Sequence, residues 1–124
     1  MAHVGKIQLI FTITATPELV AEGDRLFASH APWIESTHHR TGDKALLSYN
    51  VSKAPELKNP LDPSAGVTGS TCFVLNEIYE SEAGVADHFA MAMSGWSEFA
   101  AFVEWSGKCK TAVVPAATII KSLW

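Results

Sequence analysis

The stretch from Phe73 to Phe89 constrains the fold more than any other part of this chain. It reads Phe-Val-Leu-Asn-Glu-Ile-Tyr-Glu-Ser-Glu-Ala-Gly-Val-Ala-Asp-His-Phe, strand-like where it begins and an amphipathic helix where it ends. Ser81 marks the switch, a good helix N-cap with an acidic residue just after it. Glu77 and Tyr79 leave the strand two positions apart, so their side chains share a sheet face. His88 sits about two turns into the helix, close enough to look back at that face. A small polar constellation on an apolar strand–helix unit is a common way to build a ligand pocket. The alternative is a closed core with a few satisfied polar groups.

The remaining segments fall into place around this unit. Ile7, Leu9, Phe11, Ile13 and Ala15 alternate with Gln8, Thr12 and Thr14, which is a strand with one strongly apolar face. Thr16-Pro17-Glu18 opens a helix, and Leu19, Gly23, Leu26, Phe27 and His30 form its stripe. Pro32 is expected to bend or end that helix, with Pro32–Ser36 as a further short turn. Lys44–Lys53 reads as the second strand, Ala54–Ser70 as a long loop with three prolines and two glycines, and Thr71–Glu80 as the third strand. Ser81 to about Met93 is the second long helix, broken at Ser94-Gly95. A short helix follows over Trp96–Trp105. A last strand, Cys109–Val114 and Ala117–Leu123, is interrupted at Pro115 as a bulge or an edge would be.

The order β-α-β-β-α-β predicts an α+β, ferredoxin-like fold, an antiparallel sheet with its helices on one face. At 124 residues and 48% hydrophobic, residues 1–124 fit one domain. Charged residues make up only 18%, low for a small monomer. The third strand also looks apolar on both sides, Val74 and Ile78 opposing Phe73, Leu75 and Tyr79. A second copy stacked on the bare sheet face is therefore expected, giving a homodimer. The net charge of −4 and the absence of a basic stripe argue against nucleic acid, and no apolar run approaches a membrane span. Gln8, Thr12 and Thr14 interrupt the only run that mimics a signal peptide. Cys72 and Cys109 then read as reduced thiols in a cytoplasmic protein.

Two segments resemble the antibiotic biosynthesis monooxygenase-like family of dimeric α/β-barrel proteins. One is Gly42–Val51, entering a strand from a glycine turn and carrying Tyr49. The other is Phe73–Phe89, with a Glu and an aromatic two residues later, then a helix with a His. The likeness extends to the order of elements over most of the chain. Arg40-Thr41 replaces the Glu-Pro pair often found before the turn glycine, the Ala54–Ser70 loop is longer, and Tyr79 stands where many members have Trp. The first strand lacks the Asn of haem-degrading relatives, so haem degradation is not expected.

The resemblance implies an enzyme acting on a small cyclic or aromatic compound, quinol- or polyketide-like, by cofactor-independent monooxygenation. It implies no flavin, haem or metal, because the deprotonated substrate itself supplies electrons to O₂. An isomerase on the same scaffold needs the same proton handling. A non-catalytic, small-molecule-binding or stress-associated dimer is the third possibility. His88 is the first candidate base, since imidazole titrates near neutrality, or else it is a buried packing histidine. Tyr79 could donate to a substrate oxygen or simply fill the core, and Glu77 could orient His88 or pair across the dimer. Trp96 could wall the pocket. His38 and His39 are candidate substrate contacts, of which an extended backbone admits at most one. No H-x-x-x-H spacing supports a metal site from one of them with Glu77 and His88, and none is expected.

Overall fold

A computed structural model describes residues 2–124. In chain order the elements are β1 (Ile7–Ala15), α1 (Val20–Thr37), β2 (Leu46–Leu57), β3 (Val67–Tyr79), α2 (Glu82–Gly95), α3 (Phe99–Lys108) and β4 (Lys110–Thr118). Single 3₁₀ turns lie at Pro17–Leu19 and Pro63–Ala65. The chain is α+β, and its four strands form one open antiparallel sheet in the order β2-β3-β1-β4. This is compatible with the ferredoxin-like fold expected from the element order. Among the described residues, no helix is long and apolar enough to cross a membrane.

β1 lies inside the sheet because one of its faces is continuously apolar. Leu9, Ile13 and Ala15 are wholly buried, and all three helices pack on that side. The buried core has two parts. Toward one end, Ile13, Leu26, Phe27, Phe73, Leu75 and Trp105 pack together, with Trp105 donating its indole N–H to the Leu19 carbonyl at 2.9 Å. Toward the other, Ile7, Leu9, Ile34, Leu46, Tyr79 and Val85 pack together. The β1–β3 register sets Leu9 opposite Glu77 and Phe11 opposite Leu75, and the β2–β3 register sets Tyr49 opposite Glu77. Glu77 therefore projects under the helices between Leu9 and Tyr49.

Several boundaries differ from the sequence expectation. α1 does not end at Pro32. It runs through to Thr37, and the buried Ile34 packs the turn beyond the proline onto the core. The proposed long loop is mostly sheet. β2 and β3 extend as a hairpin to the Leu57–Val67 pair, leaving a connection over 58–66. Pro55 is tolerated because β2 is an edge strand, where a missing N–H costs no ladder bond on the open side. β4, the other edge, likewise runs through Pro115, with its register slip against Gln8 and Ile10. It stops at Thr118 rather than continuing to Leu123.

Among the described residues, the opposite sheet face carries no helix. It is more mixed than the reading of the third strand suggested. Ile10, Val74, Ile78 and Val114 share it with Thr12, Asn50 and Ser52. Gln8 donates to Asn76 across it at 2.9 Å.

Candidate functional site

The site begins where β3 hands over to α2. Ser81 caps α2 as expected, its Oγ accepting from the Ala83 N–H at 3.2 Å and donating to the Asp43 carbonyl at 2.8 Å. Gly84 then lets the helix press onto the strand end. A Cβ there would lie 2.7 Å from Tyr79 Cδ1 and 3.0 Å from the Lys44 carbonyl oxygen. One turn further, this close approach brings His88 over the face that holds Glu77 and Tyr79.

Glu77 has no exposed surface, and His30 and His88 are each 4% exposed. The Tyr79 hydroxyl donates to Glu77 Oε1 at 2.5 Å, and His88 Nδ1 lies 3.8 Å from the same oxygen. Glu77 Oε2 is buried with no partner. His88 Nδ1 shares a hydrogen bond of 2.8 Å with His38 Nε2, and His30 Nδ1 one of 2.7 Å with the Tyr49 hydroxyl. An imidazole nitrogen of His30, one of His88 and a carboxylate oxygen of Glu77 lie within 4.8 Å of one another. Aromatic rings box the group in. Trp96 meets His30 edge-on at 4.9 Å between centroids and stacks on Trp33 at 5.7 Å.

Burial shifts every titration in this cluster toward the neutral form. Burial pushes the Glu77 carboxyl up to about 7, against the hydrogen bond from Tyr79, which favours the charged form. His88 falls to about 3, through burial and then the neighbouring His38 and His30. His30 falls to about 4, through burial and then His38. His38 also falls to about 4 by burial, with Asp87 opposing. Burial first, and the nearby Glu77 second, push both Tyr49 and Tyr79 well above the usual phenol range. At neutral pH the imidazoles are therefore neutral and the tyrosines un-ionised, and the Tyr49 hydroxyl can donate to or accept from His30 Nδ1 according to the tautomer.

A cavity of about 230 Å³ opens between the sheet, α2 and α3. Phe11 and Leu75 form its floor, Trp96 and Phe102 its sides, and the half-exposed Val103 and more exposed Met93 its rim. His30 and His88 are the titratable side chains in its wall. An apolar cavity of about 150 Å³ is enough to take up benzene, so this one has room for a ring compound.

The structure gathers most of the residues singled out in the sequence, in separate layers. His88 and Trp96 reach the cavity. Glu77 and Tyr79 do not line it and stand behind His88. His38 supports His88 from the other side, while His39 is exposed beside Asp87 at 3.8 Å. The adjacent pair thus splits as an extended backbone requires. His30 is the residue that sequence reasoning did not place in the site. Its signal was present, since it interrupts the apolar stripe of α1 between Phe27 and Ile34. Tyr49 was visible only as a strand tyrosine, and its contact with His30 depends on how α1 crosses the sheet. No known protein family, curated protein or solved structure matches this chain.

Proposed function

We propose that this protein is an enzyme that takes a small cyclic or aromatic compound into the cavity beside His30 and His88 and removes a proton from it, as a cofactor-independent monooxygenase. One observation carries the reading. In a cavity with apolar floor and sides, the titratable groups are two buried neutral imidazoles, and one of them is backed by a carboxylate pushed up to about 7. Burial makes His88 alone a weak base, titrating at about 3, so a phenol or an activated CH₂ held against it gives up its proton only with Glu77 ionised beside the imidazole, a carboxyl that titrates at about 7. The imidazolium that forms is stabilised by Glu77, 3.8 Å away. Tyr79 holds the carboxylate in place, and His38 holds the imidazole.

The anion then transfers an electron to O₂, and recombination gives a hydroperoxide. Loss of water leaves a carbonyl, so that CH₂ and O₂ become C=O and H₂O. The apolar floor and sides of the cavity favour this outcome by leaving water few partners beside the anion. The second reading is an isomerase. It is favoured by the presence of two imidazoles, 6.0 Å apart, on one cavity. One could remove a proton and the other return it elsewhere on the ring.

The proposal includes a homodimer of the dimeric α/β-barrel kind, sheet against sheet. Its support is the helix-free face with Ile10, Val74, Ile78 and Val114, together with the low charge content. Sedimentation velocity tests it, and a monomer at all concentrations contradicts it.

Oxygen consumption with an anthrone or a quinol tests the reaction. We expect one O₂ taken up per substrate converted, and no uptake by His88→Ala. Product formation without oxygen uptake selects the isomerase. A panel of ring compounds that neither bind nor react leaves only the non-catalytic dimer.

A further inference from the structure

We infer that His30, Glu77 and His88 bind a divalent first-row transition-metal ion, with coordination positions left open toward the cavity. The first support is the donor set. Two imidazole nitrogens and one carboxylate oxygen converge within 4.8 Å, from three rigid elements, α1, β3 and α2. Around an ion at about 2.1 Å, neighbouring ligand atoms stand about 3.0–3.4 Å apart, so donors within 4.8 Å of one another must draw together by at most about 1.4–1.8 Å to close the site. Two His and one carboxylate with open positions suit Fe(II), Co(II) or Zn(II). They do not suit Ca²⁺ or Mg²⁺, which take mostly oxygen ligands.

The second support is independent. Glu77 Oε2 is a fully buried carboxylate oxygen without a partner, an arrangement that a bound cation satisfies and that an apolar core does not. The third is the layer behind the ligands. With the proton on Nδ1 of each ring, His30 donates to the Tyr49 hydroxyl and His88 to His38 Nε2, the tautomers that leave Nε2 free to ligate, and Tyr79 donates to Glu77 Oε1. Each donor has one outer partner that fixes its orientation, the pattern that supports ligands in metal sites. Among the described residues, Nε2 of neither imidazole makes a hydrogen bond, and both rings reach the cavity wall.

The inference shares its cavity with the proposed function and does not depend on that reaction. Were an ion bound, His30, Glu77 and His88 would hold it and it would acidify a coordinated hydroxyl or enol oxygen, whose proton would pass to solvent; His88, then a ligand, would no longer be the base, and the reaction would no longer be cofactor-independent.

The test uses the full chain, freed of metal by a chelator and then titrated with Co(II), followed by visible absorption and equilibrium dialysis. We expect one ion per chain, displaced by Zn(II). Glu77→Gln and His30→Gln, checked for folding by circular dichroism, should lose binding. Tyr49→Phe should weaken it about 10–100-fold. His39→Ala should bind as the unaltered chain does. Equal binding by folded Glu77→Gln and His30→Gln overturns the site. No ion taken up, with oxygen uptake intact, also overturns it and leaves the proposed function standing. One ion bound, with no ring compound turned over, upholds the site and removes that function.

Discussion

The two ends of the core make an instructive contrast. Both lie on the same sheet face under α1, with α3 completing one and α2 the other, and β3 supplies side chains to both. At one end β3 contributes Phe73 and Leu75, packed on Phe27 and Trp105. At the other it contributes Glu77 and Tyr79, under His30, His38 and His88. The first end does what a core must, removing apolar surface from water. The second buries a carboxyl and two imidazoles, with the half-buried His38 beside them, and these contribute less to stability than hydrocarbon of the same volume would. The fold tolerates that cost because Phe73, Phe27 and Trp105 stabilise the other end. The difference separates a part that holds the molecule together from a part free to do chemistry.

The contrast can be broken most forcefully at Phe73. Phe73→Ala should cost about 3–5 kcal/mol of unfolding free energy, read by denaturant titration. Glu77→Gln should cost far less or stabilise, because it removes a buried ionisable group. Equal losses in the two variants would erase the distinction between the two ends. The next effect is on rate. His88→Ala should lower turnover about 10²–10⁴-fold with an unchanged far-ultraviolet circular dichroism spectrum.

Two glycines sharpen the comparison further. Gly23 of α1 faces Trp105 and Phe73 in the apolar end, and Gly84 of α2 faces Tyr79 in the polar end. An alanine at either position should cost about 1–3 kcal/mol by overpacking. Gly84→Ala displaces the ring that holds Glu77, and the Lys44 carbonyl beside it is backbone that cannot swing away. It should therefore lower kcat as well, whereas Gly23→Ala should leave kcat of the folded protein unchanged.

A smaller signature lies in the pH dependence of the metal-free protein. His30 and His88 titrate at about 4 and about 3 when folded, against 6.5 when unfolded. As pH falls below about 6.5 the unfolded chain takes up protons first, so the stability these groups preserve above that pH is lost. Glu77 works in the opposite sense. It titrates at about 7 when folded and 4.5 when unfolded, so its contribution is complete below 4.5 and is lost as pH rises to about 7. Glu77→Gln should therefore gain stability relative to the unaltered chain between pH 4.5 and 7, as thermal unfolding across that range will show. The smallest effect belongs to His39→Ala at the surface, within about 0.5 kcal/mol and without loss of turnover.

How much of this was legible in the sequence follows the same division. Period-two alternation in β1 and the Ser81 cap are local signals, and they identified the sheet face and the start of α2. Glu77, Tyr79 and His88 were legible as a group because strand and helix geometry relate residues 2 to 11 positions apart. Pro55 misled because proline reads as a strand breaker unless the strand is known to lie at an edge, and edges are set by pairing across the whole chain; Pro115 was read as the mark of a bulge or an edge, and β4 is an edge strand with a register slip, though it runs through the proline without a break. Pro32 misled for a related reason, since tertiary packing of Ile34 outweighs the missing hydrogen bond. His30 was seen only as part of a stripe. Its meeting with Tyr49, Glu77 and His88 arises from α1 crossing the sheet, which no local spacing encodes.

The most direct measurement is a crystal structure of the protein soaked with a phenolic ring compound. The account predicts the ring in the cavity over Phe11 and beside Trp96, with its oxygen within about 3.2 Å of an imidazole nitrogen of His88 or His30. A cavity closed by its own side chains, with the compound elsewhere or absent, would contradict it.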